Sequence, residues 1–94
     1  MQQKINHDTD KKRFLIIVEG YTGYVEYRIM QTTMELRHTF VPEELQGRGI
    51  AAELVTVALE FALESGLNVK PVCSYVKSFL QKNSSVFPKL KITD

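Results

Sequence analysis

The stretch Gln46-Gly47-Arg48-Gly49-Ile50-Ala51 decides the predicted fold, because a strand-like segment ends at Val41-Pro42 and a helical pattern begins within the stretch. Its two glycines allow a tight turn and leave no Cβ in the path of a ligand. The helix begins with unpaired N–H groups and the positive end of its dipole, which favour an anion. Arg48 adds a charged fork of donors suited to phosphate. The stretch therefore predicts either a pyrophosphate-binding loop or a glycine turn with one exposed arginine.

Two other phosphate-binding loops fit the sequence poorly. A P-loop requires Gly-Lys-Ser/Thr, which occurs nowhere in the chain. The dinucleotide pattern Gly-x-Gly-x-x-Gly is met only with Ala52 in its last position. The acidic residue expected about twenty positions later is missing, since residues 67–70 contain none. Both assignments are therefore disfavoured.

Length and composition indicate a single domain over residues 1–94. The chain is 44% hydrophobic and 24% charged, which is typical of a globular rather than a disordered protein. Its longest apolar run, Phe14 to Val18, is too short for a membrane span, and residues 1–13 lack an apolar signal core. One cysteine excludes an intramolecular disulfide and fits a reducing compartment. We therefore expect a cytoplasmic protein.

The net charge of +1 disfavours nucleic acid as the main partner. The distribution of the charges along the chain is more informative. Residues 14–69 carry three Arg and eight Glu, whereas residues 70–94 carry five Lys and one Asp. The basic end faces a phosphorylated ligand or is simply a solvated surface. We predict no membrane partner and no metal site, and no feature of the sequence specifies an oligomeric state.

Alternating apolar residues predict an antiparallel meander of three strands, at Arg13–Val18, Tyr24–Met30 and Thr33–Val41. Residues 19–23 have the composition of a hairpin connection. The third strand is predicted to have one face formed by Met34, Leu36, His38 and Phe40. The polar residues 1–12 are expected to form a loosely ordered leader, in which Ile5 could start a fourth, edge strand.

The second half of the chain predicts a β-α-β unit followed by another helix. Helical spacing extends from about Gly49 to Ser65, and a short strand follows over Leu67–Cys73. Ser74 is placed to cap a second helix over about Tyr75–Asn83. Residues 86–87 are predicted to make a last contact with a sheet edge. There are no internal repeats.

This order of elements, with Gln46-x-x-Gly49-x-Ala51 opening a helix, resembles the acyl-CoA-binding half of the GNAT superfamily of N-acetyltransferases, whose signature loop is Gln/Arg-x-x-Gly-x-Gly/Ala. The chain is more specifically similar to the small single-domain GNAT-like proteins. Three segments carry that similarity: His38-Thr39-x-Val41-Pro42, Gly47 to Ala51 and Pro71-x-Cys73-Ser74-Tyr75-Val76. The resemblance covers about residues 13–80 and implies an α+β, minimal GNAT-like fold.

The resemblance also implies acetyl-CoA as cosubstrate, transfer of its acetyl group to an unidentified amine, and no metal. The pyrophosphate is expected on backbone amides near Gly47 to Ala51. The pantetheine arm is expected between the strand ending at Val41 and the strand Leu67–Cys73, which splay apart. The implied cofactor-binding residues are Phe40, Val41, Gln46, Gly47, Arg48, Gly49, Ile50, Ala51 and Cys73. Full-length family members have two helices between their first strands that shape the acceptor pocket, and this chain has only turn residues there.

Three residues are candidates for the chemistry of acetyl transfer. Cys73 is either a nucleophile, activated by the start of the second helix, or a small residue lining the pantetheine site. His38 is either a general base or a core histidine. Tyr75 is either the proton donor to the leaving thiolate or a packing residue. Glu43 and Glu44 could act as a base through water, although adjacent carboxylates in a turn are more often solvated.

A rival function is a non-catalytic acyl-CoA-binding or protein-interaction module built on the same scaffold. Turnover that depends on Cys73 and His38 would favour the enzyme, and tight binding without turnover would favour the module. A small nucleic-acid binder ranks lower, because the sequence has no concentrated basic and aromatic surface.

Overall fold

One mixed sheet and two helices make up the fold, described by a computed structural model over residues 4–83 and 85–93. The strands lie in chain order as β1 (Asn6–Asp8), β2 (Arg13–Val18), β3 (Tyr21–Met30), β4 (Thr33–Phe40) and β5 (Asn68–Pro71). Neighbouring strands are antiparallel except β4 and β5. That pair is parallel because a helical crossover connects it. The α+β prediction, a meander followed by a β-α-β unit and a second helix, is confirmed.

The helices are α1 (Ile50–Glu64) and α2 (Ser74–Lys82), and a short 3₁₀ turn at Glu43–Leu45 precedes α1. The predicted bounds of both helices are close to these. The prediction that Ser74 caps α2 is wrong, because the N-cap residue is Cys73 and Ser74 is already helical. In the described part of the chain, neither helix is long and apolar enough to cross a membrane.

The connection between β2 and β3 is tighter than the sequence suggested. It consists of Glu19 and Gly20, whose φ angles are 54° and 83°. Positive φ at both central residues is the geometry of a two-residue hairpin turn that matches the twist of the strands. Gly23, predicted to be part of the connection, is instead a buried residue of β3. A Cβ there would lie 3.4 Å from the Phe40 carbonyl oxygen, so this glycine allows close packing.

The predicted regular alternation along β4 is wrong beyond Leu36. Tyr27 of β3 pairs with Leu36, but the preceding Glu26 pairs with His38, so Arg37 has no partner on β3. This β-bulge reverses the alternation of faces. Thr39 therefore pairs with the buried Val25 on the core side, and His38 and Phe40 point to the other face, where both are exposed.

The two ends of the chain also differ from expectation. The leader expected to be loose contains β1, the edge strand left open as an alternative at Ile5, and β1 pairs His7 with Phe14. Residues 1–3 lie outside the described residues. The last contact with a sheet edge is a bridge between Ile92 and Val69 rather than a contact at residues 86–87.

Helix α1 packs across the sheet and closes the core. Its buried residues are Ile50, Leu54, Val55, Ala58, Leu59 and Ala62. They meet the fully or nearly fully buried sheet residues Phe14, Ile16, Val25, Tyr27, Met34, Leu36 and Val69. The helix axis is thereby fixed, and with it the position of the loop that precedes the helix.

His7 joins this core at its edge. Its ring stacks on Phe14 at 4.1 Å between centroids, meets the edge of Phe61 at 4.7 Å, and hydrogen-bonds the Tyr27 hydroxyl at 2.5 Å. Burial lowers the pKa of His7 below its ordinary value of 6.5, and the nearby Asp8 carboxylate opposes that shift only in part. The folded state therefore favours neutral His7.

We predict that this preference makes stability depend on pH. Because the folded pKa of His7 lies below the unfolded value, its contribution is fully present above pH 6.5 and declines as the pH falls below it. Urea unfolding at about pH 8 and about pH 5 measures the effect. Between these pH values, the free energy of unfolding should fall less for His7→Phe than for the native protein. His38→Phe, at the exposed histidine, should show the native decline. An unchanged decline in His7→Phe would contradict the role given to His7.

Candidate functional site

Strands β4 and β5 separate at the point where the candidate site begins. Their parallel pairing runs from Thr33 opposite Asn68 to Leu36 opposite Pro71. The Leu36 carbonyl then accepts the N–H groups of both Val72 and Cys73, each at 3.0 Å. Beyond this point β4 continues to Phe40 while the other chain turns into α2. The splayed strands that the family resemblance implies are thus present.

Backbone conformation shapes the loop before α1. Gly47 and Gly49 have φ angles of 81° and 76°, a region that other residues rarely adopt. A Cβ at either position would meet no atom within 4 Å, so the glycines serve the turn and leave open space. Gly49 is the N-cap of α1 and carries no capping side chain. The first-turn amides of α1 therefore have no capping side chain and are available to an external acceptor.

A groove connects this loop to the separated strands, and we call it the loop groove. It has two adjoining parts of about 220 Å³ and about 420 Å³. Both parts are lined by Val41, Gln46, Ala51 and Tyr75. The first adds Leu45, Gly47, Gly49, Ile50 and Ala52, and the second adds Thr39 and Phe40. The groove thus runs from the glycine loop to the side chain of Thr39.

Two polar side chains brace the loop. Gln46 donates a hydrogen bond from its amide to the Val41 carbonyl at 3.2 Å, which ties the loop to the end of β4. Arg48 donates to the Glu19 carboxylate at 3.2 Å and 3.4 Å and to the Glu44 carbonyl at 3.4 Å. In this arrangement the guanidinium holds the β2–β3 turn and does not line the groove.

Cys73 and Thr39 meet at the inner end of the groove. The Cys73 thiol donates to the Thr39 hydroxyl at 3.6 Å, across 34 residues of chain. This contact exists because the bulge at Arg37 turns Thr39 toward the core side of the sheet. The candidate cofactor-binding residues except Arg48 and Cys73 line the groove itself, and Cys73 adjoins it through Thr39.

The surroundings of Cys73 favour its thiolate. Burial alone would raise the pKa of the thiol, but hydrogen bonding to the Thr39 side chain and to backbone N–H groups of Val76 and Tyr75 lowers it below its ordinary value. Those N–H groups belong to the first turn of α2, whose dipole acts in the same direction. Cys73 is thus a half-buried, free thiol whose pKa lies below its ordinary value.

Comparison with known proteins identifies the family. The family model described as GCN5-related N-acetyltransferase matches residues 13–90. The chain belongs to this family. It is 32% identical over 87 residues to Protein NATD1 of Bos taurus, covering 85% of this chain and 74% of the relative. It is also 32% identical over 84 residues to Protein NATD1 of Danio rerio, covering 85% and 76%.

The fold of this GCN5-related N-acetyltransferase (GNAT) family member also has a solved counterpart. The NMR solution structure of a GCN5-like protein from Staphylococcus aureus superimposes with a TM-score of 0.74 at 24% identity. The match covers 98% of this chain and 91% of the other. The likeness shows that the two chains share a fold, and the predicted GNAT-like architecture is confirmed.

The other two catalytic candidates of this GNAT protein lie on different sides of the sheet. Tyr75 lines the loop groove, and burial raises the pKa of its hydroxyl, so it stays protonated at neutral pH. His38 is exposed on the face away from α1, near the Tyr24 ring at 6.0 Å between centroids. It is therefore not a core histidine, and the structure does not bring it together with Cys73. A catalytic role for either residue stays a prediction.

Thr39 is the site residue that sequence reasoning missed. It lies within the family motif His38-Thr39-x-Val41-Pro42, but regular alternation places it on the wrong face. Glu43 and Glu44 are exposed in the 3₁₀ turn and do not line the loop groove. Within the described residues, no group of His, Cys, Asp or Glu side chains is arranged to hold a metal ion.

The Thr39 hydroxyl should control the reactivity of Cys73. Thr39→Val removes the hydroxyl, which can donate a hydrogen bond to the sulfur once the thiol has lost its proton, so the pKa of Cys73 should rise and alkylation by iodoacetamide at neutral pH should slow. Thr39→Ser keeps the hydroxyl and should behave like the native protein. The pH profile of the alkylation rate measures both. Identical profiles for Thr39→Val and the native protein would show that Thr39 does not act on the thiol.

Proposed function

We propose that this GNAT protein binds acetyl-CoA in the loop groove and transfers the acetyl group to an amine. The observation that carries the proposal is the course of the groove, which begins at the glycine loop with its unpaired helix amides and ends at Thr39 beside Cys73. A ligand that fits this groove has an anionic group at the end near the helix amides and a reactive group at the end near Thr39. Acetyl-CoA has its pyrophosphate and its thioester in that order. Family membership supports the same chemistry. A cytoplasmic location, where acetyl-CoA is available, belongs to this proposal.

The pyrophosphate would lie against the amides from Gly47 to Ala51, where the open space and the helix dipole favour it. The pantetheine arm would follow β4 from Val41 toward Thr39, because the edge of β4 that faces β5 is freed by the separation of the strands. Arg48 would reach the phosphates only by leaving Glu19. That exchange would cost little, since an exposed ion pair contributes about 0–1 kcal/mol.

In the transfer step, the acceptor nitrogen would attack the thioester carbonyl carbon and the carbon–sulfur bond would break. The nitrogen loses a proton, and the CoA thiolate gains one. Tyr75 lines the groove and has a raised pKa, so its hydroxyl would donate the second proton. Holding the amine and the thioester together supplies a large part of the rate. His38 remains a candidate base only for an amine that arrives on the sheet face away from α1.

The loop assignment can be tested with two variants of Gly49. Acetyl-CoA at about a hundred times its Kd should stabilise the native protein by about 2.7 kcal/mol. Gly49→Asp should lose this shift because its carboxylate would repel the pyrophosphate. Asn is similar to Asp in size and tolerates a positive φ about equally well, but it carries no charge. Gly49→Asn should therefore keep more of the stabilisation by acetyl-CoA.

Thermal unfolding with and without acetyl-CoA measures the effect. Gly66→Asp serves as a control, because Gly66 also has a positive φ of 70° but lies at the far end of α1. A full ligand shift in Gly49→Asp would overturn the loop assignment. Equal losses in the Asp and Asn variants would point to backbone strain instead of charge.

The two routes for acetyl transfer differ in the fate of Cys73. We favour direct attack by the amine, with Cys73 lining the thioester site, because His38, the candidate base for Cys73, lies on the other face of the sheet. Cys73→Ala should then keep most of the transfer rate, and intact-mass analysis after incubation with acetyl-CoA should find no acetyl adduct on Cys73. An acetyl-Cys73 peptide that disappears when an amine is added would establish the covalent route instead.

The rival function is a non-catalytic acyl-CoA-binding module. Measuring both acetyl-CoA binding and product formation distinguishes it from the enzyme. Saturable acetyl-CoA binding with no product for any amine tested would favour the module. Neither binding nor turnover would reject both functions.

A further inference from the structure

A second cavity lies outside the loop groove, beside strands β4 and β5. Its volume of about 720 Å³ is larger than either part of the loop groove and suits a small molecule. Glu35 and Lys70 line it, and they alternate with the buried residues Met34, Leu36 and Val69. They therefore lie on the sheet face that points away from α1. Helix α2 forms a wall through Lys77 and Leu80.

The charges in this cavity leave an excess of positive charge. Arg37 pairs with Glu35 at 2.8 Å, which neutralises that pair. Lys70 and Lys77 remain, and within residues 4–83 and 85–93 neither has a carboxylate at ion-pair distance. Two ammonium groups on one concave surface attract an anion and repel a cation. The apolar residues Val72, Leu80 and Ile92 complete a surface for a short carbon chain.

One end of the cavity lies where the two strands separate. Arg37 and Val72 line it, and they are the chain neighbours of Leu36 and Cys73 at the end of the β4–β5 pairing. Thr39 and the Cys73 thiol lie at this same point on the other face of the sheet. A molecule at this end of the cavity would therefore lie next to the gap between the strands, on the opposite face from a thioester in the loop groove.

We propose that this cavity holds the acceptor, and that the acceptor is a small amine that also carries a carboxylate. The inference rests on the proposed function and names its substrate class. The carboxylate would bind Lys70 and Lys77, and the amine would point toward the gap. A polyamine or a simple diamine brings only positive charge to the two ammonium groups and is not a good ligand for this cavity.

Two unreactive probes of equal carbon-chain length and opposite charge test the charge preference. In ¹H–¹⁵N spectra, glutarate should shift the backbone amides of Lys70, Val72, Lys77 and Leu80. At the same ionic strength, 1,5-diaminopentane should leave them unchanged. Shifts of these amides by the diamine, or no shifts by glutarate at any concentration tested, would overturn the proposal.

Two variants that each remove one positive charge distinguish glutarate binding in the cavity from a general attraction to the basic C-terminal segment. Lys77→Gln should weaken glutarate binding about two- to fivefold, as expected for one partly exposed ion pair. Lys89→Gln removes the same charge from an exposed residue that does not line the cavity, and it should bind glutarate like the native protein. Equal weakening in both variants would show that only net charge matters and would overturn the proposal.

The same titrations distinguish this inference from the proposed function. Acetyl-CoA should shift the amides of Gly47 and Gly49 regardless of what the cavity binds. Those shifts without glutarate binding would reject the acidic acceptor and leave the acetyl-CoA site intact. With turnover, Lys77→Gln should raise the KM for glutamate as acceptor about two- to fivefold and leave the KM for acetyl-CoA unchanged. Unchanged KM for glutamate would count against the cavity as the acceptor site.

Discussion

The separation of β4 from β5 after Leu36 is the constraint on which the candidate site depends. One carbonyl, that of Leu36, accepts hydrogen bonds from two consecutive N–H groups, those of Val72 and Cys73. The second chain then turns away at the start of α2. A sheet that continued to pair here would leave no room between its strands. The gap, the groove on one face and the cavity on the other all follow from this early end of the pairing.

The bulge at Arg37 determines which side chains face the gap. One extra residue in β4 turns Thr39 toward the core side and sends His38 and Phe40 to the opposite face. Thr39 thereby reaches Cys73, and the first turn of α2 adds backbone N–H groups to the same sulfur. A bulge adds one residue to one strand of an antiparallel pair and so turns the side chains that follow it to the opposite face. A single insertion thus positions the polar groups of the site.

The loop before α1 and most of the secondary structure could be predicted because local residue chemistry determines them. The glycines, Gln46 and the apolar stripe of α1 identify a tight turn that opens a helix, and the structure has that turn with positive φ at Gly47 and Gly49. The end of β4 could not be predicted, since a bulge is set by pairing with β3 and leaves no mark on the alternation of β4 itself. Strand β1 could be offered only as an alternative, because its own residues give a weak signal. It is short and polar, and it is held by the ring of His7 packing on Phe14 and Phe61.

We propose that acetyl-CoA lies along the loop groove with its acetyl group beside Thr39 and Cys73. The most direct measurement is an isotope-filtered NOE spectrum of the labelled protein with unlabelled acetyl-CoA. We expect NOEs from the acetyl methyl group to the Thr39 methyl and Cys73 β protons, and from the geminal methyl groups of pantetheine to Val41 and Ala51. NOEs from the acetyl methyl group to Leu80 or Ile92 instead, with none to Thr39 or Cys73, would contradict it.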